Sequence, residues 1–272
     1  MLVKRLRVAM IARPEIPGVL KFVRKIMDIL SDEDVLLEQG LAKKLGKPPA
    51  TPRALRKADA IVTIGGDGTV LFAQQLAPDV PVLGINLGER GFLAEVKPNE
   101  VKPAFEKLRA GKLQIVKRER LAATVRGRRL PDALNDVVVS SASTGKTVRV
   151  KVLIGGDEAM DVRGDGVIVA TPTGSAAYAH AAGGPLVDPD LEALTVVPIC
   201  PSFPRPPPLV TPIDSRIVVE PTRPWRDAYV AVDGRPLVRI RYGERVRLHR
   251  SKNPALFFKW ENFYRKAMER LW

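Results

Sequence analysis

Ala60-Ile61-Val62-Thr63-Ile64 runs without a break into Gly65-Gly66-Asp67-Gly68-Thr69, and Val70, Leu71 and Leu76 then follow at helical spacing. A buried-type strand that empties into a glycine turn opening a helix is a building unit of parallel α/β sheets. The same alternation surrounds it. Val8–Ala12 is an apolar run, and Val19, Leu20, Val23, Ile26, Met27 and Leu30 fall at helical spacing. Val35–Leu37 reads as a second short strand, Leu41, Ala42 and Leu45 as a short helix, and Val80–Ile85 as a further strand. Thr51-Pro52, at the end of a proline-rich loop, is placed to cap another short helix. Residues 1–110 are therefore expected to form an α/β domain with a parallel sheet.

The pattern changes after Gly111. Short β-type runs follow at Gln114–Val116, Leu121–Val125, Val137–Ser140, Val148–Ile154 and Val167–Ala170. More come at Leu194–Ile199, Ile217–Glu220, Tyr229–Val232, Val238–Ile240 and Val246–Leu248, with Gly and Pro between them. One helical candidate interrupts, from Ser175 to about Ala182. Many short strands with frequent turns predict an all-β, sandwich-like domain over 111–254. In 255–272 an apolar run, Ala255–Phe258, precedes an amphipathic helix over Glu261–Leu271, expected to pack back on the first domain.

The formal net charge is +14, which raises the question of a nucleic-acid partner. The basic excess is six in residues 1–60, six in 241–272 and only two across the long middle. There is no basic patch interleaved with aromatics, so a specific nucleic-acid partner is not expected. No apolar run approaches the roughly 20 residues of a membrane span, and the opening MLVKRLRVAMIAR reads as a first strand rather than a signal peptide. The single cysteine, Cys200, fits a reducing cytoplasm. With two histidines, His180 and His249, the chain has no soft-ligand metal cage.

Four segments are candidates for chemistry, and each alone also reads as ordinary structure: a tight Gly-Asp-Gly turn, a core phenylalanine, a routine strand-start turn and a close-packed small-residue helix. In Gly65-Gly66-Asp67-Gly68-Thr69 the glycines let backbone approach a phosphate, and a helix N-terminus presents free N–H groups to it. An acid embedded there points to a second task, as a base aimed at a hydroxyl or a partner for a metal. No Walker lysine follows, which excludes a P-loop NTPase. Gly84-Ile85-Asn86-Leu87-Gly88-Glu89-Arg90-Gly91-Phe92-Leu93 leaves the next strand on the crevice side of an open sheet. Asn135-Asp136 can hydrogen-bond a diol or a base edge. Gly164-Asp165-Gly166 and a strand lead into Thr171-Pro172-Thr173-Gly174-Ser175-Ala176-Ala177-Tyr178, whose small residues suit a flat ligand.

Taken together, GGDGT at 65–69, NLGERGFL at 86–93, ND at 135–136, RGDG at 163–166, TPTGSAAY at 171–178 and AGGP at 182–185 resemble the NAD kinase family in order and spacing. PICPSFPRPPPLV at 198–210 and VDGR at 232–235 resemble its later blocks. The resemblance implies transfer of phosphate from ATP or polyphosphate to the adenosine-ribose 2′-hydroxyl of NAD, giving NADP, with a divalent metal such as Mg²⁺ on the donor phosphates. It implies Asp67 as catalytic base and Gly65, Gly66, Gly68 and Thr69 as the phosphate turn. It implies Gly68, Phe92, Asn135, Asp136, Asp165, Thr173, Ala176, Ala177 and Tyr178 around NAD. In the family the equivalent of Asp165 can reach across a subunit contact, so the resemblance implies a homodimer or homotetramer. The chain departs from the family at Arg90, Asp136, Ala176, Ala181, Ser202 and Arg235. A lipid kinase sharing GGDGT is the alternative reading.

Overall fold

A computed structural model describes residues 5–88 and 91–271. Glu89 and Arg90 of the second glycine segment, and Met1–Lys4 of the opening run, lie outside the described residues. The chain divides into two units, one formed by residues up to Lys117 together with those from Ala255 on, the other by Arg118–Pro254.

The first unit begins with β1 (Arg7–Ala12), α1 (Val19–Ile29), β2 (Asp34–Leu37), α2 (Gln39–Leu45) and α3 (Pro52–Leu55). It continues with β3 (Ala60–Gly65), α4 (Asp67–Leu76), β4 (Val82–Asn86), α5 (Val101–Arg109) and β5 (Ile115–Arg118). The second unit holds β6 (Leu121–Val125), β7 (Arg128–Arg129), β8 (Asp136–Ser141), β9 (Val148–Ile154), β10 (Asp157–Gly164) and β11 (Gly166–Ala170). After these come α6 (Tyr178–Ala181), β12 (Ala193–Ile199), β13 (Leu209–Pro212), β14 (Ile217–Pro221), β15 (Ala228–Val232), β16 (Arg235–Ile240) and β17 (Val246–Arg250). β18 (Ala255–Phe258) and α7 (Phe263–Leu271) return to the first unit.

In the first unit the strands order as β2-β1-β3-β4-β18-β5. β1, β3 and β4 pair in parallel, with Ala12 opposite Ile64 and Gly65 opposite Asn86. Their side chains are almost wholly buried, as expected for central strands covered on both faces. α1 buries Val19, Val23 and Ile26 against this sheet, and Thr51 accepts the Ala54 N–H to cap α3 as its sequence predicts. Ala255–Phe258 is more than an apolar run: it is a strand parallel to β4. The strand expected at Gln114–Val116 to open the β-rich half instead closes the edge of this first sheet as β5. Its alternating exposure marks an edge strand, and a period of two does not say which sheet such a strand joins.

In the second unit, among the described residues, strands pair antiparallel in two sheets, β10-β9-β14-β17-β6-β7 and β13-β12-β11-β8-β15-β16. Alternate residues of both sheets, including Val139, Val167 and Val230 on one side and Val150, Val219 and Leu248 on the other, share one apolar core. This is a sandwich. On the opposite face of the second sheet, Val138, Ile168 and Val197 pack with Ala179 of α6. The helix expected over Ser175 to about Ala182 is broken: Gly174–Ala176 forms a 3-10 turn and α6 covers four residues, with Ala177 between them at φ −104°, ψ −125°. Thr171 Oγ1 accepts the Gly174 N–H and the Ser175 hydroxyl donates to Pro172 O, so local backbone groups are taken by side chains instead of an α-helical ladder.

Candidate active site

In the first unit, β3 ends at Gly65, whose φ of +155° and tight approach to Thr69 Oγ1 exclude a side chain. Gly66 then caps α4, so Asp67 is the first residue of the helix. An acid in that first turn suits the positive end of the helix dipole. Its carboxylate is held on three sides: Oδ2 accepts the Phe92 N–H at 2.8 Å, and Oδ1 accepts those of Leu93 and Ala94 at 2.8 and 3.0 Å. Asp67 thus ties the glycine turn to the loop after β4. Gly66, Gly68 and Thr69 lie around the same helix end, lining one cavity with Gly65 and Gly88.

That loop is fastened from behind. Lys266 of α7 is 7% exposed, and its Nζ donates to Phe92 O at 3.2 Å and to Glu95 Oε1, while standing 4.8 Å over the Phe92 ring. Arg270 donates to Gly91 O and pairs with Glu261. Glu95 Oε2 accepts the N–H groups of Trp260 and Glu261. Phe92, half-buried, meets Phe263 edge-on at 5.9 Å. The sequence offered no sign of this clamp, because Lys266 and Phe92 are 174 positions apart.

In the second unit, Asn135-Asp136 enters β8, the central strand between β11 and β15. A Cβ on Gly174 would stand 2.0 Å from Asn135 O, so only glycine lets the Thr171–Ser175 turn lie against this pair. Thr171 N–H and Oγ1–H donate to Asn135 O and Leu134 O. Across the β15–β16 turn, Asp233 takes φ +47° followed by Gly234 at +75°, the two-residue turn that Asp-Gly favours. From there its carboxylate accepts the N–H groups of Leu134, Asn135 and Asp136. Asp233 is a site-shaping residue missed in the sequence; its signal was the VDG turn itself.

Asp136 is 4% exposed, and burial, with the Asp233 carboxylate nearby, pushes its carboxyl up to about 7. Burial also raises Asp233, against the pull of its three N–H partners and Arg120. Asn135 Oδ1 is buried without a hydrogen-bond partner among the described residues. Thr173 is buried, while Ala176 and Ala177 are partly exposed and Tyr178 is exposed. Asp165, exposed, is fixed through its backbone to Ile199 and Ser141. Burial, Cys200, Asp165 and Asp136 together raise the Tyr178 phenol, so these groups share one region. The structure thus gathers Asn135, Asp136, Asp165, Thr173 and Tyr178 in the second unit, and Asp67, Thr69 and Phe92 in the first.

A buried acid held protonated makes stability pH-dependent. Between its unfolded value near 3.9 and about 7, the folded chain holds the extra proton on Asp136, so stability falls as pH rises through that window and is flat above it. Asp136→Asn removes this cost. Its thermal midpoint relative to wild type is expected to improve from pH 5 to pH 8, by up to about 3 kcal/mol in stability. An equal difference at both pH values would contradict the assignment.

Comparison with known proteins agrees along the chain. The family model described as ATP-NAD kinase N-terminal domain matches residues 8–113, and the ATP-NAD kinase C-terminal domain matches 134–260. The NAD kinase of Methanothermobacter thermautotrophicus is 34% identical over 98% of this chain and 96% of its own length. The crystal structure of an NAD kinase from Archaeoglobus fulgidus in complex with ATP is 28% identical, with a TM-score of 0.82 over 98% of both chains. Yeast NADH kinase complexed with NADH, 24% identical, shares the fold with a TM-score of 0.89 over 98% of this chain and 87% of that one.

Proposed function

This chain belongs to the NAD kinase family and is a phosphotransferase, and on that premise we propose how its residues divide the transfer of a phosphoryl group to the adenosine-ribose 2′-hydroxyl of NAD. The lipid-kinase alternative finds no support, since both matched models are ATP-NAD kinase domains.

Gly65, Gly66, Gly68 and Thr69 cradle the donor phosphates at the N-terminus of α4, whose positive dipole end attracts an anion. Asp67 is the base. A carboxylate accepts about four hydrogen bonds, two per oxygen. Leu93 and Ala94 occupy Oδ1, and Phe92 takes one place on Oδ2. Among the described residues Oδ2 therefore keeps an open place, the one that receives the hydroxyl proton. As the 2′-oxygen bonds to the terminal phosphorus, the bond from that phosphorus to the rest of the donor breaks and the proton passes to Oδ2.

Asn135 and Asp136 hold the sugar and base of NAD, with Asp165, Thr173, Ala176, Ala177 and Tyr178 around them. One observation carries this reading: Asn135 Oδ1 is buried and unpaired, a costly state that a ligand hydroxyl or amine relieves. Phe92 offers NAD the part of its ring that Phe263 and Lys266 leave uncovered. A divalent cation such as Mg²⁺ neutralises donor phosphates when bound. Among the described residues no three His, Cys, Asp or Glu side chains form a cage, and a hard ion carried on phosphate oxygens and water needs none.

The ATP complex of the Archaeoglobus relative supports ATP as donor; polyphosphate, a homodimer or homotetramer and a cytoplasmic location complete the proposal. Among the described residues no helix is long and apolar enough to cross a membrane. Asn135→Ala tests the NAD side. It is expected to raise the NAD Michaelis constant by about tenfold, the worth of one well-made hydrogen bond, with the donor constant unchanged. Equal changes in both constants would remove Asn135 from the NAD site.

A further inference from the structure

Arg13 follows β1 directly, and the pairing of Ala12 with Ile64 brings it beside the glycine turn. Its guanidinium lies across Gly68: a Cβ there would be 3.3 Å from Arg13 Nη2 and 3.6 Å from Cζ. With Gly65, Gly66, Gly68, Thr69 and Gly88 it lines a cavity of about 280 Å³. Thr69 in that lining is 1% exposed, and its Oγ1 has no hydrogen-bond partner among the described residues.

The electrostatics of this cavity are incomplete. A cation beside a helix N-terminus meets charge of its own sign. Among the described residues no ion pair to Arg13 occurs, and the carboxylate of Asp67 is turned toward the N–H groups of residues 92–94. A guanidinium, a helix N-terminus and a buried unpaired hydroxyl therefore converge on a space that, among the described residues, has no anion of the protein's own. Its size suits phosphoryl groups rather than a whole nucleotide.

We propose that Arg13 binds the terminal phosphates of the phosphoryl donor and neutralises charge on the group in flight. The assignment rests on the NAD kinase reading for the reaction, and on the cavity alone for the anion. The planar fork of Arg13 grips two phosphate oxygens at once, which an ammonium does not. The bond changes are those already given: oxygen to phosphorus forms, phosphorus to leaving oxygen breaks, and the proton goes to Asp67.

The test is titration of the whole chain with sodium tripolyphosphate by calorimetry, beside steady-state kinetics with ATP, for wild type, Arg13→Ala and Arg13→Lys. Arg13 is exposed, so the variants are expected to fold. Arg13→Ala is expected to weaken tripolyphosphate binding about tenfold and to lower turnover by roughly 10- to 10³-fold, with the NAD Michaelis constant within about threefold. Arg13→Lys should recover only part of both losses. Arg13-dependent tripolyphosphate binding in a chain that makes no NADP would uphold the anion site and overturn the reaction. Wild-type NADP formation, with Arg13→Ala binding tripolyphosphate and turning over as wild type does, would overturn the proposal and keep the reaction.

Discussion

Asp67→Asn is expected to cut turnover by roughly 10² or more while the NAD Michaelis constant stays within about threefold. A ribose hydroxyl is a poor nucleophile at neutral pH, and a positioned base is worth roughly 10²–10⁴ in rate. Asn keeps the size of Asp67 but cannot take the proton. It also places an NH₂ where an oxygen now accepts from the 92–94 loop, so one backbone N–H loses its partner. The thermal midpoint separates the two consequences: a modest fall with a large loss of turnover is the signature of a missing base. Turnover near wild type would leave positioning and charge alone as the source of rate, as a loose transition state allows.

The second large effect belongs to the clamp behind the loop. Lys266→Met keeps the length of the side chain and removes its charge, leaving the Glu95 oxygen and Phe92 O without their Nζ partner. Breaking a mostly buried ion pair costs roughly 3 kcal/mol. At 2–4 °C per kcal/mol for domains of this size, the midpoint should fall by about 6–12 °C. Turnover should fall by about tenfold, because the loop that orients Asp67 loses its backing and small misplacements are costly to rate. Lys266→Arg, which retains the charge, is expected to restore most of the turnover. A lowered midpoint with unchanged turnover in Lys266→Met would make the clamp purely structural.

Periodicity made much of the fold legible, because β3, β4 and β11 are buried runs with glycine or proline at their ends. Local chemistry served as well where it was strong: Thr51 caps α3 as its position before Pro52 predicts. What failed was local pattern judged without its partners. β5 reads as any half-exposed strand, and only its place beside β18, some 140 positions later, assigns it to the first sheet. The small residues after Thr173 read as helix, yet the hydroxyls of Thr171 and Ser175 hold a turn there, through the Gly174 N–H and Pro172 O. The glycine turns marked the segments to which the proposed chemistry is assigned. Arg13, Asp233 and Lys266 stayed hidden because each acts on a segment distant in sequence, and an isolated charge in a sequence carries no address.

The most direct measurement incubates the purified chain with NAD and Mg²⁺, separately with ATP and with inorganic polyphosphate, and assays NADP specifically while locating the new phosphate. Phosphate on the adenosine-ribose 2′-oxygen, formed by wild type with at least one donor and reduced roughly 10²-fold or more in Asp67→Asn, is the expected result. No NADP from either donor, or NADP formed by Asp67→Asn as fast as by wild type, would contradict the account.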